Sequence, residues 1–170
     1  MAGKLTGIVM HWTVSRAVAS KVDLRHYHFC VNKDGTVARG AFDPEDNISC
    51  ADGSYAPHTG SANTGRIGVA MVGMFGATER PFNPGPYPIT WTQVNAMVDL
   101  VADLCHRYSI PVKRETVLTH AEVEPTLGIK QKGKWDITWL PGMLAPGNPI
   151  EIGDRLRGDI IKSMKERNIS

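Results

Sequence analysis

Short unbroken apolar runs alternate along the chain with polar connections rich in Gly, Pro and Asp, and two amphipathic stretches occupy its second half. Leu5 to Trp12 is apolar on both faces, the pattern of a strand inside a helix-covered sheet. Residues 13–26 are a polar connection with room for a short helix around Arg16–Val22. Tyr27–Lys33 and Thr36–Gly40 flank Asp34-Gly35, a hairpin signal because both turn residues tolerate positive φ. On the first of these strands Tyr27, Phe29 and Val31 share one face, and His28 and Cys30 the other. Residues 41–66 read as a loop too long to be without a purpose, and because they hold His58 they are expected to wall a cleft. Ile67–Met74 is an apolar run punctuated by glycines and reads as a central strand. The proline-rich residues 80–89 cannot join a sheet ladder.

The plainest helix follows. Thr90 and Gln93 form a capping box, and Val94, Met97, Val98, Val101, Leu104, Cys105 and Tyr108 make one buried stripe that Pro111 should stop. Thr116–Thr119 reads as a strand with His120 at its end. Ile152, Leu156, Ile160 and Met164 mark a second helical stripe, too short a segment to build its own core. Strands mixed with crossover helices predict an α/β fold: a single domain, a mixed central β-sheet flanked by helices, and a site at the strand ends. Residues 1–145 form the main unit and 146–170 a helical extension packed on it.

Composition narrows the function classes. The 170 residues, 42% of them hydrophobic, suffice for one core. Nineteen basic against 17 acidic residues leave a net charge of +2, which argues against a dedicated nucleic-acid binder and suits contact with an anionic polymer. Cys30, Cys50 and Cys105 are odd in number and lack CxxC spacing, which favours a reducing compartment of synthesis over a disulfide framework. The N-terminal apolar run is short and interrupted by His11, so no signal peptide is expected, and no segment has the length of a membrane span. The expectation is a monomer without a nucleic-acid partner and without membrane insertion.

Candidate chemistry concentrates in THAEVEPTLGIKQKGKWD at 119–136. His120 ends one apolar run, His11 ends another, and Asp136 follows a Gly- and Lys-rich loop. Two imidazoles and a carboxylate are a donor set that leaves a catalytic zinc one open position. Spacing alone also fits polar residues at strand ends. Taken in order, HWT at 11–13, YHFCVNKDGTVARG at 27–40, HTG at 58–60, IGVAMVG at 67–73, THAEV at 119–123 and KGKWD at 132–136 resemble the zinc-dependent N-acetylmuramoyl-L-alanine amidases of the phage-lysozyme and peptidoglycan-recognition type.

The resemblance covers roughly residues 5–140 and implies that family's fold, with 1–145 as the catalytic domain. It implies Zn2+ held by His11, His120 and Asp136. It also implies Lys134 as an oxyanion partner and Tyr27 as a hydroxyl beside the reacting water. His58 and Thr59 would contact substrate, and Glu122 would orient a ligand histidine or be plain surface charge. Relatives that recycle muropeptides in the cytosol carry a glutamate in the strand matching IGVAMVG, where this chain has Ala70. The implied partner is peptidoglycan and the implied role that of a phage or prophage endolysin, made in the cytoplasm and acting on the cell wall after release at lysis. The alternatives are a recycling amidase and a non-catalytic peptidoglycan-binding module.

Overall fold

A computed structural model describes residues 3–170. Ten elements follow in the order β1 (Gly7–Trp12), α1 (Lys21–His26), β2 (Phe29–Val31), β3 (Val37–Arg39), a 3-10 turn (Pro44–Ile48), β4 (Arg66–Met71), α2 (Trp91–Tyr108), β5 (Val117–Thr119), α3 (His120–Leu127) and α4 (Pro149–Glu166). The five strands form one mixed sheet in the order β3-β2-β4-β1-β5. Among the described strands of this sheet, only β2 and β3 pair antiparallel. This is the α/β layer architecture expected from the sequence.

Both faces of the sheet are covered, which is why β1 reads as continuously apolar. Ile8, Met10 and Trp12 join Ile67, Val69 and Met71 in the larger core, under Val94, Met97 and Val101 of α2 and Ile152, Leu156 and Ile160 of α4. Val9 meets Leu118, Val123 and Ala62 on the opposite face. There β4 presents Gly68 and Ala70, and a Cβ at Gly68 would run into the His58 ring. Small residues on β4 thus make space for polar side chains inside a packed domain.

Several boundaries depart from the periodic pattern for identifiable reasons. The first helix is at 21–26, not 16–22, because Ser20 and Asp23 close a capping box. Tyr27 lies outside the strand and is instead the residue that ends α1 in extended geometry. β1 begins at Gly7 and β4 ends at Met71. α2 has the expected capping box but stops before Pro111: Ser109 turns left-handed at φ 54, and the Ile110 N–H closes on the Cys105 carbonyl. α3 was not expected from the apolar pattern, although Thr119 and Glu122 spell its capping box.

Helix α3 is locked to α4 by a buried ion pair. Glu122, fully buried, accepts the Thr119 N–H at 2.8 Å, and meets Arg157 through both oxygens at 2.7 and 3.1 Å. The same guanidinium donates to the Val117 carbonyl at 2.9 Å. Gly153 passes so close that a Cβ there would collide with the Glu122 carboxylate. Removing one member strands the other charge away from water, so Arg157→Met is expected to lower unfolding stability by about 3–5 kcal/mol. Chemical denaturation measures this, and a loss under about 1 kcal/mol, the worth of a surface pair, would refute it.

Candidate active site

The site is built from strand register. β1 and β5 run parallel with Met10 opposite Thr119, so the next residues, His11 and His120, leave adjacent strands side by side. Their rings lie 4.7 Å apart and nearly perpendicular. Asp136 is brought to them by its backbone: the Ala121 N–H at the start of α3 donates to the Asp136 carbonyl at 2.6 Å. This satisfies one of the amide donors that every helix N-terminus leaves open. The preceding Trp135 packs edge-on against Trp12, 4.8 Å between centroids, fixing the approach of the 130–136 segment.

Three ligand atoms result. His11 Nδ1 is 3.1 Å from His120 Nδ1 and 3.1 Å from Asp136 Oδ2, and His120 Nδ1 is 3.4 Å from that oxygen. All three residues are buried. Tetrahedral zinc with bonds of about 2.0–2.1 Å requires donor atoms roughly 3.3 Å apart, so this N2O set fits the ion in type and in spacing. Burial pushes His11 down to about 4. For His120 burial acts in the same direction, but the Asp136 carboxylate and the Gln131 hydrogen bond together raise the ring above its ordinary value. Burial would raise Asp136, yet its hydrogen bonds to both histidines hold it well below the usual carboxylate range.

Above these atoms opens a cleft of about 670 Å³, lined by Val14 and Tyr27, by Pro57, His58, Gly60 and Ser61, and by Lys130 to Trp135. The Tyr27 ring stands 5.1 Å from that of His11. Burial, and then the nearby Asp136 charge, raise its hydroxyl far above the ordinary value, so it stays protonated. Lys134 is exposed on the cleft rim, and its charge reaches His11 and His120. His26 also lines the cleft, while His106 is exposed and bonds the C-terminal residue Ser170.

Thr59 and Glu122 differ from their expected contacts, and His58 lies at the cleft but largely covered. Thr59 is fully buried, so it offers no surface to a substrate; its hydroxyl lies against His58 and His11. His58 borders the cleft but is 5% exposed and packs beneath His11. Glu122 bonds neither histidine; it caps the helix that begins with His120. Sequence reasoning missed Gln131, whose amide bonds His120 at 2.7 Å, because a lone Gln among lysines has no periodicity or spacing to mark it.

Residues 1–142 match the family model described as N-acetylmuramoyl-L-alanine amidase. The chain belongs to that amidase family. Among solved structures, the N-acetylmuramyl-L-alanine amidase AmiD from E. coli, in complex with anhydro-N-acetylmuramic acid-L-Ala-D-gamma-Glu-L-Lys, is similar with a TM-score of 0.56 and 21% identity, over 79% of this chain and 52% of that one. The endolysin amidase LysCS from Clostridium intestinale URNW is similar with a TM-score of 0.50 and 19% identity, over 98% of this chain and 86% of that one. At these identities the likeness is one of fold. No curated protein matches the chain.

The long amidase loop is tied down by a fourth buried histidine, His28. His28 accepts the Gly68 N–H on Nδ1 at 2.9 Å and donates from Nε2 to Asn47 Oδ1 at 3.0 Å, so it must be neutral. Burial lowers its pKa to about 4. The unfolded chain therefore takes up this proton first as pH falls, and stability is lost from about pH 6.5 down to about pH 4. His28→Gln should flatten that acid limb by up to one proton, roughly 1.4 kcal/mol per pH unit. Unfolding curves across this window measure the slope, and an unchanged slope would place the proton uptake elsewhere.

Proposed function

We propose that this amidase-family chain is a zinc-dependent peptidoglycan hydrolase that cleaves the amide between the lactyl group of N-acetylmuramic acid and L-alanine. The observation that carries the reading is the convergence of His11 Nδ1, His120 Nδ1 and Asp136 Oδ2 at tetrahedral spacing on the cleft floor. His11, His120 and Asp136 would hold the ion, which supplies Lewis acidity that polarises a carbonyl and acidifies water.

The chain's own groups do the rest. The cleft walls orient the muramoyl-peptide so that its scissile carbonyl lies over the three ligands. Tyr27, kept protonated, donates a hydrogen bond to the oxygen that attacks or develops charge. Lys134 brings a cation to the developing oxyanion. The remaining rim lysines, Lys130 and Lys132, attract an anionic polymer without touching the chemistry.

We assign the biological role to lysis: an endolysin of phage or prophage origin, made in the cytoplasm and acting as a monomer on the cell wall after release. Two features support this over muropeptide recycling. Ala70 stands directly beside His11 in the β1–β4 ladder, where the recycling relatives would supply a glutamate. The polar group over His11 comes instead from Tyr27.

Purified protein should carry about one zinc, and His11→Ala, His120→Ala or Asp136→Ala should lose most of it on metal analysis. Sacculi treated with the wild type should release stem peptides with a free L-alanine amino terminus and leave intact glycan strands, and chelation should stop this until zinc is returned. Binding without new amino termini would identify a recognition module instead. Turnover of soluble muropeptides with no action on sacculi would identify a recycling enzyme.

Tyr27→Phe and Lys134→Ala should keep zinc and lower kcat by roughly tenfold to a thousandfold, with smaller changes in KM. Lys132→Ala is the control for general attraction. Equal losses at Lys132 and Lys134 would remove the oxyanion role, and wild-type turnover in Tyr27→Phe would return Tyr27 to a packing role.

A further inference from the structure

Each site imidazole has a second nitrogen facing away from the cleft, and each leads to a backbone carbonyl. Gln131 donates from Nε2 to the Gly60 carbonyl at 2.9 Å. A carbonyl can only accept, so the amide has one orientation, with Oε1 turned to His120 Nε2 at 2.7 Å. Oε1 also only accepts. His120 therefore carries a proton on Nε2, and the neutral ring that would hold zinc has Nδ1 as its lone-pair atom.

The other route ends at Arg66. His58 Nε2 lies 3.1 Å from the Arg66 carbonyl and must donate to it, which leaves His58 Nδ1 as an acceptor. That atom is 2.8 Å from Thr59 Oγ1 and 3.3 Å from His11 Nε2, and Thr59 Oγ1 is itself 3.3 Å from His11 Nε2. Whether His11 donates to His58 directly or through the threonine hydroxyl, its proton sits on Nε2. Both routes are buried, with Gln131 and His58 6% and 5% exposed and Thr59 fully covered.

We propose that the Gly60 and Arg66 carbonyls, read through Gln131 and through the Thr59–His58 pair, set the tautomers of neutral His120 and His11 so that both would present Nδ1 lone pairs to the zinc ion they hold with Asp136. Gln131 is then a positioning residue with two tasks. Its oxygen orients His120, and its amide nitrogen ties the 130–136 wall of the cleft to the segment at Gly60. The inference rests on the zinc reading above and adds what holds its two imidazoles in place from behind.

Substitutions separate the two tasks. Gln131→Met removes both bonds and should weaken zinc binding about 10- to 100-fold in a competition titration against a chromophoric chelator. Gln131→Glu keeps an acceptor for His120 but cannot donate to Gly60, so it should bind zinc within about threefold of the wild type while KM for sacculus fragments rises. A merely structural glutamine would give equal zinc losses in both variants, and that result would overturn the proposal. An independent readout needs no variant. In zinc-loaded wild-type protein labelled with 15N-histidine, the ring protons of His11 and His120 should both couple as Nε2–H, and an Nδ1–H form of either would overturn it. Wild-type protein that binds no zinc would instead remove the parent reading, a different outcome from zinc binding that is indifferent to Gln131.

Discussion

The parallel register of β1 against β4 and β5 is the constraint on which the site depends. A shift of one residue would turn His11 into the α2 core and move Met10 to the cleft, because side chains alternate along a strand. The register is protected by apolar packing on both faces. Ile8, Met10 and Trp12 fill one side of the sheet, and Val9 fills the other beneath the site. Buried polar groups are thus placed by apolar neighbours, which secure the strand order before any ligand atom is considered.

Gathering polar atoms in such an interior is unfavourable unless each one finds a partner. The buried groups around the site largely do. Asn47 spans the Ala56 N–H and carbonyl as well as His28, Gln93 bridges the carbonyls of Val31 and Val72, and Asp136 closes the start of α3. The cleft walls are long loops, yet their anchors are buried hydrogen bonds of the kind that hold a core in one arrangement.

Much of this was legible in the residues. Apolar runs located the strands, and the stripe with its capping box gave α2 nearly to the residue. The six-part motif order placed His11, His120 and Asp136, which the fold brings within contact distance. What escaped was set by tertiary partners. Tyr27 alternates correctly for a strand, but the capping box at Ser20 moved the helix forward and left it at the junction. Thr59 looked like a cleft residue because HTG resembles the family's cleft wall; only the space above Gly68 shows that the loop dives inward there. Glu122 could have been recognised as a cap from its spacing to Thr119, whereas its pairing with Arg157, 35 residues on, leaves no mark in a single sequence.

That pairing has a consequence for how the protein is made. A ribosome delivers the chain from its N-terminus, so His11, His120 and Asp136 all emerge before the cation that neutralises Glu122. Until residue 157 is free to fold back, the carboxylate that caps α3 has reason to stay in water, and the helix carrying His120 cannot settle into its final depth. Completion of the cleft is thereby tied to the emergence of residue 157, and a nascent amidase chain has no finished site until then.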